Sequence, residues 1–140
     1  MLCSVDLRLR RAVLVATAVS FAAVDLTYKV VEPAEFHHAR TPLTALVIGA
    51  LVAALVTLVP RIPSTAAAVG AGIACGGALG NLVSLLAWSQ GVPDPLVIAG
   101  AAHGVAFNLA DVFALAGDAV LLSATALHGV RRHAQLRERV

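Results

Sequence analysis

Two aspartates, Asp94 and Asp111, are the residues of this chain whose type and spacing best suit chemistry. Each lies beside a segment apolar enough to cross a membrane, where an ionisable side chain is costly and marks a functional site by default. If a loop brings the two carboxyls together, repulsion between them leaves one proton shared by the pair. One carboxyl can then accept a proton from water while the other donates one to a substrate carbonyl or a leaving amine. The alternative is that Asp94, between Pro93 and Pro95, only begins a turn.

The composition predicts an integral membrane protein. Of the 140 residues, 59% are hydrophobic and only 13% are charged, which is too little polar surface for a soluble domain of this length. The two cysteines, Cys3 and Cys75, are far apart and provide neither a disulfide framework nor the ligand spacing of a metal site. The composition shows no sign of nucleic-acid binding.

Four segments reach the length of about 20 mostly apolar residues that a membrane helix needs. We therefore predict an all-α membrane protein, a single domain over residues 1–140 with four transmembrane helices and a small extracytoplasmic loop subdomain. In the first segment no cleavage site of the Ala-x-Ala kind precedes charged sequence, so we expect it to be an anchor rather than a removed signal peptide. The predicted helices span about residues 11–31, 41–60, 64–88 and 105–127.

Basic residues predict the orientation of these helices. With four spans, eight arginines fall on one side of the membrane and only Lys29 and Arg40 on the other. Because Lys and Arg concentrate on the cytoplasmic side, both termini should be cytoplasmic and the loops around residues 32–40 and 89–104 should face outward. The eight are Arg8, Arg10, Arg11, Arg61, Arg131, Arg132, Arg137 and Arg139.

The third segment combines closely spaced small residues with one amide. Glycine and alanine let membrane helices approach closely, so we expect Gly76 and Gly77 to serve packing. Asn81, at the outer end of this helix, needs polar partners, and the loop that follows could supply them. Asn108 precedes Asp111 by three residues, which places both side chains on one helix face.

Three short boxes along the chain share their order and spacing with a known family. Asp25 and Lys29 are spaced i, i+4 at the end of the first helix, and the third helix carries GGALGN, which ends at Asn81. Asp94 follows in the next loop, and Asn108-Leu-Ala-Asp111 lies at the fourth helix. In these features the chain resembles, over nearly its whole length, the lipoprotein signal peptidases (signal peptidase II), which are four-helix bacterial membrane aspartic peptidases.

The resemblance implies a substrate, a location and roles for six residues. The substrate would be the signal peptide of a prolipoprotein, cut just before a diacylglyceryl-modified cysteine, at the outer face of the bacterial cytoplasmic membrane. The protein would work in contact with membrane lipid, and the reaction would need no metal or other cofactor. The residues are Asp94 and Asp111 as the catalytic dyad, Asn81 and Asn108 as substrate-positioning residues, and Asp25 and Lys29 as support for the outer end of the bundle.

The chain also departs from the family pattern at three places. Ser84 and Leu85 stand where the family has an Asp-Arg pair, and Pro95 replaces an aromatic residue. The segment 31–40 is shorter than the family's outer loop and lacks its Asn-x-Gly-Ala-Ala-Phe box. These departures favour a divergent member with altered substrates. The alternative is a catalytically impaired paralogue that acts as a membrane binding or scaffold protein.

Four further ionisable residues have no role in the resemblance. We interpret His37 and His38 as solvated loop residues, since a metal site would need more ligands, and we expect a surface role for His103. Asp118 lies seven residues after Asp111, so it should point the same way, about 10 Å deeper by helix rise. A proton or ion relay through these two aspartates is a weaker alternative function.

Overall fold

The computed structural model describes residues 2–39, 41–98 and 104–138, which form four helices and four short strands. All four helices are long and apolar enough to cross a membrane, and the strands lie in two of the connections between them. The predicted fold class, an all-α membrane protein with a small loop subdomain, is therefore confirmed. The helices are α1 (Leu2–Val31), α2 (Pro42–Leu58), α3 (Thr65–Ala87) and α4 (Leu109–Arg137), and the strands are β1 (Phe36–His38), β2 (Val92–Asp94), β3 (Leu96–Ile98) and β4 (Val105–Phe107).

Side-chain caps begin the second and third helices. The hydroxyl of Thr41 accepts a backbone N–H from the first turn of α2, and the hydroxyl of Ser64 accepts the N–H of Ala67 at 3.2 Å in α3. Such caps satisfy amides that have no partner inside the helix. Between the two helices the chain makes a 3₁₀ turn over Val59–Arg61, in which a proline supports the tight backbone.

The fourth helix begins at Leu109, after the start predicted near residue 105, because Asn108 caps it. The Oδ1 atom of Asn108 accepts the N–H of Asp111, and the carboxylate of Asp111 accepts the N–H of Asn108, both at 3.2 Å. This reciprocal capping box sets the start of α4 and places Asp111 in its first turn. The residues just before it form β4. Polar residues lengthen α1 at its start and α4 at its end, beyond the apolar segments on which the prediction rested.

Helix α3 is central and packs along its length against α1 on one side and α4 on the other. A Cβ atom on Gly76 would lie 2.6 Å from the Cβ atom of Phe21 on α1, and one on Gly77 would overlap the carbonyl oxygen of Ala110 on α4. Both glycines therefore lie at close helix contacts, as their expected packing role requires. Helix α2 contacts α3 less extensively and buries none of its residues. The buried hydrophobic core comes from α1, α3 and Val59 of the 3₁₀ turn, and half-buried residues of α2 and α4 pack against it.

The two strand pairs lie at one end of the helices, which we call the strand end. Strand β1 pairs antiparallel with β2, with His38 opposite Val92, and β3 pairs antiparallel with β4. At the opposite end, the Nε atom of Arg10 donates to the carbonyl oxygen of Pro60 at 2.8 Å. This bond joins the beginning of α1 to the turn between α2 and α3.

Candidate active site

Seven polar side chains form a hydrogen-bonded cluster at the strand end, where α1, α3, α4 and β2 meet. Six of them are buried and Asp111 is half-buried. All six site residues predicted from the sequence are members. Within the described ranges, every buried side-chain nitrogen and oxygen has a hydrogen-bond partner. The members of this polar cluster are Asp25, Lys29, Asn81, Ser84, Asp94, Asn108 and Asp111.

Asn108 connects the two aspartates. Its Nδ2 atom donates to Oδ1 of Asp94 at 2.5 Å, and its backbone N–H donates to Oδ2 of Asp111 at 3.2 Å. Because the helix cap requires Oδ1 of Asn108 as an acceptor, the Nδ2 atom on the other side of the amide faces Asp94. The aspartate from β2 and the aspartate from α4 are thus held by one asparagine.

Asn81 holds Asp111 from the side of α3. Its Nδ2 atom donates to Oδ1 of Asp111 at 3.1 Å, and its Oδ1 atom accepts a hydrogen bond from Nζ of Lys29 at 2.9 Å. The sequence suggested the loop that follows α3 as one source of partners for Asn81, but Asn81 bonds the first turn of α4 instead. The reason is the close approach of the two helices at Gly77, which brings that turn beside Asn81.

Lys29 places a buried ammonium group inside the polar cluster. Its Nζ atom donates to Oδ2 of Asp25 at 2.7 Å, to Oδ1 of Asn81 at 2.9 Å and to Oγ of Ser84 at 3.2 Å, so all three N–H donors are used. The other oxygen of Asp25 accepts the N–H of Ala110 at 2.8 Å, an amide of the first turn of α4. A buried ion pair requires such additional hydrogen bonds. Asp25 and Lys29 thereby connect α1 to α3 and to the start of α4.

Ser84 and Leu85, at the positions where the resemblance implies an Asp-Arg pair, have different surroundings. Ser84 is fully buried, and its hydroxyl accepts from Lys29 and donates to the carbonyl oxygen of Gly80 at 2.7 Å. It therefore still offers an oxygen acceptor to the ammonium group. Leu85 is half-buried and lines an apolar hollow between α2 and α3, together with Pro42. This position supplies no cation to the polar cluster.

One contact of the site was not predicted from the sequence. The Nδ1 atom of His38, on β1, contacts Oδ2 of Asp94. The side chain of His38 is 62% exposed, as expected for a loop histidine, yet its ring nitrogen reaches a carboxylate that is 1% exposed. The contact depends on the pairing of β1 with β2. Each of these strands has only three residues, which is too short for the alternating pattern that predicts a strand from sequence. His103 lies outside the described residues.

Asp118 lies outside the polar cluster, on the exposed face of α4. Its spacing to Asp111 predicted that Asp118 would point inward, but it does not. At this depth Gly117, not Asp118, is the residue of α4 that faces α3. A Cβ atom on Gly117 would overlap the backbone of Ala74. In the part of the chain that the structure describes, no group of three or more His, Cys, Asp or Glu side chains is placed to hold a metal ion.

An apolar groove lies beside the polar cluster, between α1 and α4. Leu109 forms part of its lining and directly precedes Ala110 and Asp111, so the groove reaches the first turn of α4. An apolar groove at the surface of membrane helices suits a hydrophobic segment or an acyl chain. The lining residues are Ala23, Val24, Thr27, Tyr28, Val31 and Leu109.

Comparison with known proteins identifies the family. The family model described as Signal peptidase (SPase) II matches residues 10–127, which is most of the chain. Neither a curated protein nor a solved structure gives a significant match. Together with the four apolar helices, the family match shows a multi-pass membrane protein and a peptidase of the aspartic type. The chain therefore belongs to the signal peptidase II family, whose substrates are the signal peptides of prolipoproteins.

Proposed function

We propose that this protein is a membrane aspartic endopeptidase that cleaves the signal peptides of lipid-modified prolipoproteins, with Asp94 and Asp111 as its catalytic dyad. The observation that carries the proposal is the bridge at Asn108, whose side chain binds Asp94 and whose backbone binds Asp111. Binding of both carboxyls to one asparagine supports the paired arrangement that aspartic-peptidase chemistry requires.

Water is the nucleophile of the proposed reaction. The ionised carboxyl of the dyad takes a proton from water as the water oxygen bonds to the scissile carbonyl carbon, and the protonated carboxyl gives its proton to the carbonyl oxygen. In the second step the carbon–nitrogen bond breaks, the nitrogen receives the proton taken from water, and a hydroxyl of the intermediate returns a proton to the other carboxyl. The products are a carboxylic acid and an amine, and the dyad regains its starting state.

The other members of the polar cluster position the dyad. Asn81 and Asn108 fix the Asp111 carboxylate from α3 and from the helix cap, and Asn108 also fixes Asp94. Asp25 and Lys29 hold the start of α4 against α1 and α3. Catalytic groups held in this way need no rearrangement when the substrate binds.

The groove between α1 and α4 is the proposed site for the apolar part of the substrate. Its lining leads to Leu109, two residues before Asp111, so a signal peptide or a diacylglyceryl group in the groove would lie next to the dyad. We place the strand end at the outer face of the bacterial cytoplasmic membrane. The supporting observation is that Arg10 and Pro60 meet at the opposite end, which also carries Arg61 and is therefore the cytoplasmic side by the distribution of basic residues.

The test is complementation of a bacterial strain that lacks its own lipoprotein signal peptidase. The unmutated protein should restore prolipoprotein cleavage, and Asp94→Asn or Asp111→Asn should lower cleavage by about 10²- to 10⁴-fold, the range for loss of acid–base catalysis. Asp118→Asn is the matched control, because it removes an α4 carboxyl outside the polar cluster, and it should cleave normally.

Two results would count against the proposal. Cleavage that survives Asp111→Asn would rule out the dyad. A folded, unmutated protein that never cleaves would instead support the impaired paralogue, in which the same scaffold binds lipid-modified peptides or another membrane protein without hydrolysing them.

A further inference from the structure

His38 is a side chain at the proposed dyad for which the family resemblance implies no role. It lies on β1, in the short segment after α1, and its Nδ1 atom contacts Oδ2 of Asp94. Asn108 donates to the other oxygen of the same carboxylate. Both oxygens of Asp94 therefore have a nitrogen partner, one from α4's cap and one from β1.

The strand register explains why His38, and not its neighbour, reaches Asp94. His38 pairs with Val92, and Asp94 lies two residues further along β2, hence on the same face of the two-stranded ribbon. His37 pairs with Pro93 and faces the opposite side. His38 and His37 thus form a natural pair of test and control residues.

Gly91 allows β1 to approach this closely. Its φ angle is +103°, and a Cβ atom there would lie 2.6 Å from the carbonyl oxygen of His38. Glycine is the residue that adopts such a φ angle without strain. The backbone beside His38 is therefore packed directly against the start of β2.

Neither Lys29 nor Leu85 supplies a donor to Asp94, whereas His38 contacts it directly. Lys29 is the cluster's ammonium group, and it is already paired with Asp25 at 2.7 Å. Leu85 occupies the position of the family's arginine and faces the hollow beside α2. His38 brings a ring nitrogen to Asp94 from the solvent side, with a side chain that is 62% exposed.

We propose that His38 is a positioning residue of the dyad, whose Nδ1–H group donates to Oδ2 of Asp94 from the side of β1. A carboxylate offers about four lone-pair sites, so Asp94 can bind Asn108 and His38 and still accept a proton from water. The inference rests on the proposed peptidase function, and it adds β1 to the elements that build the site.

Four variants test the role of His38 in cleavage of a purified lipid-modified prolipoprotein. His38→Ala should lower kcat by about 10- to 100-fold with KM nearly unchanged, as expected for loss of a charge-assisted hydrogen bond. His38→Arg and His38→Gln, which each offer an N–H donor to the Asp94 carboxylate, should recover part of this loss. His37→Gln should behave like the unmutated protein. Equal melting temperatures in detergent show that the fold is unaffected.

Full activity of His38→Ala, or a His38→Arg variant no better than His38→Ala, would overturn the role of His38 while the unmutated protein still cleaves. Absence of cleavage by the unmutated protein would instead contradict the proposed function, and with it any catalytic use of His38. The contact itself has an independent readout in ¹⁵N spectra of histidine-labelled protein. Asp94→Asn should shift the Nδ1 resonance of His38 but not that of His37, and an unchanged His38 resonance would refute the contact.

Discussion

Asn108 shows how one side chain can serve both the fold and the proposed chemistry. Its Oδ1 atom caps α4 and its Nδ2 atom binds Asp94, so the start of the helix and the position of the loop aspartate are set together. A serine at this position could still accept the capping N–H, but it has no amide nitrogen for Asp94. The two tasks can therefore be separated by substitution.

We predict that Asn108→Ser and Asn108→Ala differ in stability but not in their loss of activity. Ser caps helices about as well as Asn, whereas Ala costs about 0.5–2 kcal/mol. Both variants should lose roughly 10- to 100-fold in prolipoprotein cleavage, because both lack the donor to the Asp94 carboxylate. Thermal unfolding in detergent and a cleavage assay measure the two effects. A serine variant with full activity would show that the bond from Asn108 to Asp94 has no part in catalysis.

At the residue scale, the sequence predicted which residues belong to the site better than it predicted the hydrogen bonds between them. The six site residues inferred from the resemblance all lie in the polar cluster. Their hydrogen bonds depend on helix rotation and strand register, which single residues do not encode. Asn81 therefore bonds Asp111 rather than the following loop, and the contact of His38 with Asp94 was missed.

At the scale of elements, the contact of α3 with α4 positions Asp111 beside Asn81. Gly77 on α3 meets the backbone of Ala110, and Gly117 on α4 meets the backbone of Ala74 on α3. Small residues at both sides let the helix backbones touch, and in lipid this van der Waals contact is a main source of helix association.

Gly77→Ala should destabilise the protein and lower its activity. The added Cβ atom would overlap the carbonyl oxygen of Ala110, so α4 must move away at the turn that carries Asp111. Overpacking of this kind costs about 1–3 kcal/mol. Gly129→Ala is the control, since no atom lies within 4 Å of a Cβ atom there, and it should leave the melting temperature in detergent unchanged or slightly higher. Equal stability of the two variants would contradict the close contact.

The boundaries of the elements were partly predictable. Hydropathy located the four apolar segments because a membrane helix must be apolar over about 20 residues. It missed the extensions of α1 and α4, because their charged residues interrupt the apolar windows on which the prediction rested. The cap at Asn108 carried a readable signal, an Asn with Asp three residues later, that fixes the start of α4 at Leu109.

At the scale of the whole molecule, the helices leave an apolar path to the polar cluster. Helices α1 and α4 both pack on α3 but contact each other little, and the groove between them ends at Leu109. Four helices with a buried polar end thus provide both a hydrophobic surface for the substrate and a hydrogen-bonded site at its end. Sequence alone could not predict this groove, because it depends on how α1 and α4 sit on α3.

We predict that filling the groove weakens substrate binding without unfolding the protein. Ala23 is an exposed lining residue, so Ala23→Trp should raise KM for the prolipoprotein several-fold while the melting temperature stays the same. Ala66→Trp is the control, because Ala66 is also exposed and lines an apolar hollow of α3 and α4 remote from the dyad. If both variants cleave with the KM of the unmutated protein, the substrate does not use this groove.

The central claim is that Asp94 and Asp111 together hydrolyse the signal peptide, and its most direct test is cleavage by the purified protein. The protein in detergent is incubated with a prolipoprotein that carries a diacylglyceryl cysteine, and the products are identified by mass spectrometry. We predict one cut before the modified cysteine, with a rate lower by about 10²- to 10⁴-fold in Asp94→Asn and in Asp111→Asn and normal in Asp118→Asn. If Asp94→Asn or Asp111→Asn forms the product as fast as the unmutated protein does, the account is contradicted.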